Sequence, residues 1–227
     1  MKRANAGEHF SFSLTDMMTS LMVIFVLLLV SKLNNQAGQR AAVAAAVETH
    51  LVGHMKLFKE EQNVKRASID PNTIVITIPD HRLNFDTQAA TIKPEGFAYL
   101  YAHVPQWAGI LCSSEIRPNV DTIVVEGHSD RTRWQGSTYE ESKEKNLVLS
   151  QQRSMAVVST SVLLLKDKPA LRDCFLEKLS ATGRGEEDPV EKDIIDSPKN
   201  RRVIFRIRIK QDVGRESAGR LRRSLTQ

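Results

Sequence analysis

The hydropathy pattern separates one long apolar run from a larger region of short, alternating signals. Phe10 to Leu33 (FSFSLTDMMTSLMVIFVLLLVSKL) is interrupted by only two charges, Asp16 and the near-terminal Lys32. As a helix it measures about 36 Å, enough to cross a hydrocarbon core of roughly 30 Å, whereas Met17 to Val30 alone, about 21 Å, is too short. Asn34 to Arg66 lacks proline, and Val43, Val47, Leu51 and Met55 recur every four residues, which predicts a helix. Its apolar stripe is narrow, suiting a coiled-coil contact with a second copy or a plain spacer. His50 and His54 lie one turn apart there and read as helix surface rather than metal ligands. Beyond the turn at Asp70-Pro71-Asn72, Thr73 to Ile78 is β-branched throughout and predicts a strand. Pro94 to Leu111 predicts a helix that Pro105 bends or interrupts. Val120 to Glu126 predicts a strand, Asn146 to Lys166 a helix, and Leu179 to Thr182 a short strand. Arg202 to Lys210 alternates apolar and basic residues and predicts a half-buried last strand. The order β-α-β-α-β-β predicts an α/β fold, a two-layer sandwich behind a single N-terminal transmembrane helix.

Asp16 changes the meaning of the apolar run. It lies about 9 Å inside the segment, where a carboxylate costs a few kcal/mol and marks an ion or proton pathway. Thr19 and Ser20 follow at i+3 and i+4, so hydroxyls share its helix face. Lys2 and Arg3 ahead of an apolar core also open signal peptides. Against a cleaved signal, Asp16 breaks the core and Ser31-Lys32-Leu33 offers no small-x-small cleavage site. Basic residues flank the segment on both sides, two before it and Lys32 and Arg40 after it, so charge alone does not orient it.

The formal charge of +5 mixes 32 Lys and Arg with 27 Asp and Glu, without a nucleic-acid-binding signature, so direct nucleic-acid contact is not expected. The clearest basic cluster is Arg215, Arg220, Arg222 and Arg223, read as a solvated tail. Cys112 and Cys174 have no metal spacing. Outside the cytoplasm they can close one disulfide loop; as two separate buried thiols they are equally ordinary. Neither a Ser-His-Asp elbow, a paired-carboxylate site nor a zinc motif is present, so no catalytic residue, metal or cofactor is expected.

Four short motifs follow in order: Gly127-His128-Ser129-Asp130; Asn146 with Leu149, Ser150 and Arg153; Thr182-Gly-Arg-Gly185-Glu-Glu-Asp-Pro189; and Asn200-Arg-Arg-Val203. Together they resemble the OmpA-like peptidoglycan-binding domain. The resemblance implies a binding module for the diaminopimelate-containing stem peptide of the cell wall. Asp130 then meets the ligand's ammonium and Arg153 its carboxylate through a bidentate fork, with Asn146 and Leu149 on the same helix face. A salt bridge between Asp130 and Arg153 is the plain structural alternative. Residues 131–145 form a longer loop than the short OmpA form, which leaves the roles of Trp134 and Tyr139 open.

The run Asp16-Met-Met-Thr19-Ser20-Leu-Met resembles the membrane segment of MotB-type stator subunits, with Thr15 where alanine is usual. The whole run Ser13 to Phe25 looks more like the B subunits (ZorB) of Zorya anti-phage defence motors, with flagellar MotB the main alternative and a passive membrane-to-wall tether a third. The resemblance implies a cytoplasmic tail (1–9), an inner-membrane helix (10–33), a helical linker (34–69), a periplasmic OmpA-like domain (70–212) and a basic tail (213–227). It further implies a homodimer inside a ring of five MotA-like (ZorA-type) subunits, with Asp16 carrying the proton and Thr19 and Ser20 lining the channel. A periplasmic domain is consistent with a Cys112–Cys174 disulfide.

Overall fold

The computed structural model describes residues 6–210, with side chains from residue 15; the expected basic tail and the first five residues lie outside the described residues. Helix α1 (Ala6–Lys56) runs unbroken for 51 residues, about 76 Å. It stops where Lys59 takes a left-handed conformation, φ 58°. Then follow β1 (Val64–Arg66), β2 (Thr73–Pro79), the single turn α2 (Asp80–Leu83), α3 (Pro94–Leu111), β3 (Val120–His128), α4 (Tyr139–Leu164), α5 (Pro169–Lys178), β4 (Leu179–Gly183) and β5 (Arg202–Ile209). The architecture is the expected α/β arrangement, but its sheet has five strands, in the order β1-β2-β5-β3-β4, where four were expected: the helix expected over Asn34–Arg66 ends at Lys56, and Val64–Arg66 is a strand. All neighbours are antiparallel except β3 and β4.

Register explains which face is covered. Ile74, Ile76 and Ile78 stand opposite Ile207, Phe205 and Val203, and Ile123 and Val125 stand opposite Ile207 and Phe205 from the other side. Directly paired residues share a face, and all of these belong to one buried cluster with α1, α3 and α4. The opposite face carries Arg206 paired through two 2.9 Å hydrogen bonds to Glu126.

Local expectations are narrowed or corrected. Of the two effects expected of Pro105, interruption does not occur: α3 continues through it. Helix α4 begins seven residues before Asn146, because Thr138 and Glu141 form a reciprocal capping box: Thr138 Oγ1 accepts from Glu141 N (3.3 Å) and Glu141 Oε2 from Thr138 N (2.8 Å). The stripe at Val43, Val47, Leu51 and Met55 faces no second copy: all four are fully buried in this chain's own core. Four such side chains contribute roughly 6–12 kcal/mol gross of hydrophobic stabilisation, comparable to the whole net stability of a domain. Cys112, just after α3, is bonded to Cys174 of α5, with Cα atoms 6.2 Å apart.

The chain also has a direction along α1. Arg66 pairs with Glu48 at 2.7 Å, and Asp70 feels the charge of Arg40, so β1 runs back toward the apolar segment. Strand β2 runs away from it again, as does β3, while β5 returns. The ends of β2 and β3 and the start of β5 therefore form the far end of the domain.

Where α1 ends, His54 Nε2 lies 3.0 Å from His103 Nδ1 of α3. His103 is boxed by Phe58, Tyr99 and Trp107, with ring centroids 4.3, 4.4 and 5.4 Å away. Burial, then the neighbouring His54, pushes its pKa down to about 4. The neutral ring is the one the fold accepts, so stability from this site is complete above about pH 6.5 and is lost as the pH falls toward 4, by on the order of 2–3 kcal/mol. Denaturant titrations of wild type and His103→Phe across that range should show a loss larger by about that amount in the wild type, since His54 and His128, also lowered by burial, titrate in both. Truncating the stripe with Leu51→Ala should cost about 2–5 kcal/mol in the same assay; a coiled-coil role would instead change association and leave domain stability untouched.

Candidate ligand cleft

Helix α4 supplies one wall of the site. Asn146, Leu149 and Arg153 fall at i, i+3 and i+7, on one helix face, and all three are buried. The face sits close to the sheet because the residues opposite are small: a Cβ on Gly127 would lie 2.0 Å from the Ser150 carbonyl oxygen. Ser150 Oγ accepts from Gly185 N (2.8 Å) and Gln151 Oε1 from Gly183 N (2.5 Å), tying two of the four motifs together. His128 is a structural group, its Nδ1 3.3 Å from the Glu187 carbonyl oxygen and its ring almost fully enclosed.

These elements enclose a cleft of about 270 Å³ at the far end of the domain. Asp130, Asn146, Leu149 and Arg153 all line it, joined by Asp80, Phe85, Ser129, Thr132, Trp134 and Arg201 among others. Asp130 and Arg153 do not pair with each other. Asp130 Oδ2 accepts from Arg201 Nη1 (2.7 Å) and its Oδ1 from Thr132 N (3.1 Å). Arg201 also donates from Nε to Asp80 Oδ2 (3.0 Å), bridging the end of β2 to the loop after β3.

Arg153 reaches across to the loop after α2. Its Nε donates to the Ala89 carbonyl (3.0 Å), its Nη2 to the Asp86 carbonyl (3.1 Å), and its guanidinium lies 5.0 Å from the centroid of the Phe85 ring. Nη1 makes no hydrogen bond among the described residues, so one edge of the fork is open. Burial lowers the guanidinium's pKa, opposed by Asp80 and Asp130. The cleft thus presents an anionic group with fixed geometry and a desolvated cation, a combination suited to a zwitterion.

The long loop is built onto α4 through Asn146. Its Nδ2 donates to the Asp130 and Thr132 carbonyls (3.4 and 3.3 Å), and its Oδ1 accepts from Trp134 Nε1 (2.8 Å). Trp134 is therefore a cleft wall. Tyr139 points elsewhere, its hydroxyl 3.3 Å from Glu186 Oε1. Sequence reasoning missed Arg201, Asp80 and the 85–89 loop. Arg201 lay within the Asn200-Arg-Arg-Val203 motif; Asp80 and the loop carried no signal.

At the other end of the molecule, residues 17–30 of α1 expose every large apolar side chain. Asp16 stands among them, and Thr19 Oγ1 donates back to the Asp16 and Thr15 carbonyls (2.9 and 3.0 Å). Ser20 is exposed beside them. The helix is long and apolar enough to cross a membrane.

No protein-family model matches the chain, and no curated protein matches it. Solved structures do. A MotB-like protein from Desulfovibrio vulgaris, 20% identical, superposes with a TM-score of 0.53 over 76% of this chain and 99% of that one. The periplasmic domain of Helicobacter pylori MotB is 18% identical over 68% of this chain and 92% of that one, with a TM-score of 0.44. The peptidoglycan-associated lipoprotein of Burkholderia pseudomallei is 21% identical over 58% and 89%, with a TM-score of 0.36. The first of these shows the fold, which is that of a MotB-like protein.

Asn146→Ala should leave the Trp134 indole N–H and two loop carbonyls without partners, at a cost of about 1–3 kcal/mol. Hydrogen exchange should then quicken across residues 130–134, with β3 itself unaffected.

Proposed function

We propose that this chain is the peptidoglycan-anchored B subunit of a MotA/MotB-like, proton-driven membrane motor, of the ZorB type used in Zorya anti-phage defence. One observation carries the reading. Four motif residues, Asp130, Asn146, Leu149 and Arg153, converge on one charged cleft at the end of the domain opposite an exposed apolar helix that holds a carboxylate. In this reading α1 crosses the bacterial inner membrane with its N-terminus cytoplasmic and the domain periplasmic. Two copies pair, and a ring of five MotA-like (ZorA-type) subunits turns about the pair. Each Asp16 takes up a proton, loses its charge, and changes its contact with the ring; Thr19 and Ser20 line the same path. At the wall, the stem peptide's diaminopimelate end sets its ammonium against Asp130 and its carboxylate on the open Nη1 edge of Arg153. The domain holds ligand and performs no catalysis.

Flagellar MotB shares these parts and is the second reading of the same geometry. A passive tether accounts for the cleft but has no use for Asp16.

Two variants test the two halves. Arg153→Ala removes a charge-assisted hydrogen bond of about 1.5–3 kcal/mol, so co-pelleting with purified peptidoglycan should weaken tenfold or more. Unchanged pelleting would count against the wall-binding half. Asp16→Asn should stop ion flow and abolish phage protection while swimming persists. Lost swimming with intact protection would assign the chain to the flagellum, and no change in either would leave the tether.

A further inference from the structure

A second groove adjoins the cleft on the other side of Trp134. Its volume is about 590 Å³, within the roughly 300–1,000 Å³ of small-molecule sites. Trp134 and Leu149 line both spaces. The helix period explains why. Asn146, Leu149 and Arg153 form the stripe of α4 that faces the cleft, and Lys145, Val148 and Gln152, again at i, i+3 and i+7, form the stripe beside it. All three of the second set are exposed, and Leu149 lies on the boundary between the two stripes.

The opposite wall is the long loop, and it is held in place before any ligand arrives. Gly136 makes the loop's turn in the left-handed region, φ 73°. Trp134 N donates to Ser142 Oγ (3.1 Å), and Lys145 Nζ donates to Ser137 Oγ (2.7 Å). With the Asn146 bond to its indole, Trp134 is fixed at both backbone and ring, which lowers the ordering cost of binding against it. The surface of the groove is amphipathic. Trp134, Val148 and Leu149 supply apolar area, and Gln152 offers both donors and an acceptor. The Lys145 ammonium stands 5.7 Å from the centre of the Trp134 ring. Glu141 and Glu144 line the groove as well, so its carboxylates outnumber its ammonium. A ligand that brings further carboxylates meets net like charge there.

We propose that this groove is a saccharide subsite, holding a neutral N-acetylhexosamine of the glycan strand whose stem peptide occupies the cleft. The proposal rests on the reading of the cleft as a wall-ligand site. Charge selects the occupant. The main chain of a stem peptide carries free carboxylates, a poor match for Glu141 and Glu144, whereas a glycan whose lactyl group is amide-linked to the peptide carries none. The C–H face of a pyranose packs on the indole and Val148, and its hydroxyl and acetamido groups reach Gln152, Glu144 and Lys145. The long loop thereby gains a role. Trp134 closes the cleft on one side and floors the sugar groove on the other, so one ligand is held at two linked points and binds more tightly without any new contact in the cleft.

Calorimetry on the full chain in nanodiscs provides the test, comparing an N-acetylated stem tripeptide that contains diaminopimelate with the same peptide joined to its N-acetylglucosaminyl-N-acetylmuramic acid disaccharide. The disaccharide should tighten binding about tenfold, roughly 1.4 kcal/mol. Val148→Glu, a change at an exposed position outside the cleft, should remove that gain and leave the affinity for the tripeptide unchanged. The disaccharide alone, its lactyl carboxyl capped as a methylamide and present at millimolar concentration, should shift the tryptophan emission of the wild type and not of the variant. A tripeptide that fails to bind while the disaccharide still shifts the emission would sink the cleft reading and leave this one standing. In a chain that binds the tripeptide, equal affinity for the two ligands overturns the saccharide subsite. A gain that survives Val148→Glu overturns it too, as does an emission that the disaccharide leaves unchanged.

Discussion

Val43, Val47, Leu51 and Met55 are buried in the domain, and the helix that carries them continues without a break into the apolar segment. That burial constrains everything else. Because hydrophobic stabilisation from these turns is of the same order as a domain's total stability, the helix cannot leave the domain while the domain stays folded. The later turns of α1 are therefore part of the domain itself rather than a linker leading to it. The same constraint sets how far the domain stands from any membrane α1 enters.

The cleft depends on a second arrangement, one of unequal charge pairing. Asp130 is satisfied by Arg201 and by a backbone N–H, which fixes its oxygens before any ligand arrives. Arg153 is held by two carbonyls and an aromatic ring but by no carboxylate, so its charge is buried and incompletely answered. Removing a buried cation from water is costly unless a counter-charge is supplied. In the proposed reading, the ligand carboxylate supplies one. Asn146 adds rigidity by fastening the long loop to α4 at three points.

Much of this was legible in the chain, for physical reasons. The strands at Thr73 and Arg202 announce themselves through β-branching and strict alternation, and the four motifs place the cleft's main residues. The start of α4 was missed because Thr138 and Glu141 cap a polar stretch with no apolar period behind it. Strand β1 is three residues long, too short for any pattern. The stripe in α1 was read as a coiled-coil seam or a plain spacer because spacing reports that a helix face is buried, not what buries it. Arg201 escaped for a related reason: its partners, Asp80 and Asp130, lie 121 and 71 residues away in the chain.

On the proposed reading, the cleft recognises a zwitterionic diaminopimelate end. Calorimetric titration of the full chain in nanodiscs tests it most directly, comparing a stem peptide containing diaminopimelate with the same peptide containing lysine at that position. The two differ by a carboxylate, the group assigned to Arg153. Binding of the first and at least tenfold weaker binding of the second is the predicted result; equal affinity, or no binding of either, would contradict it.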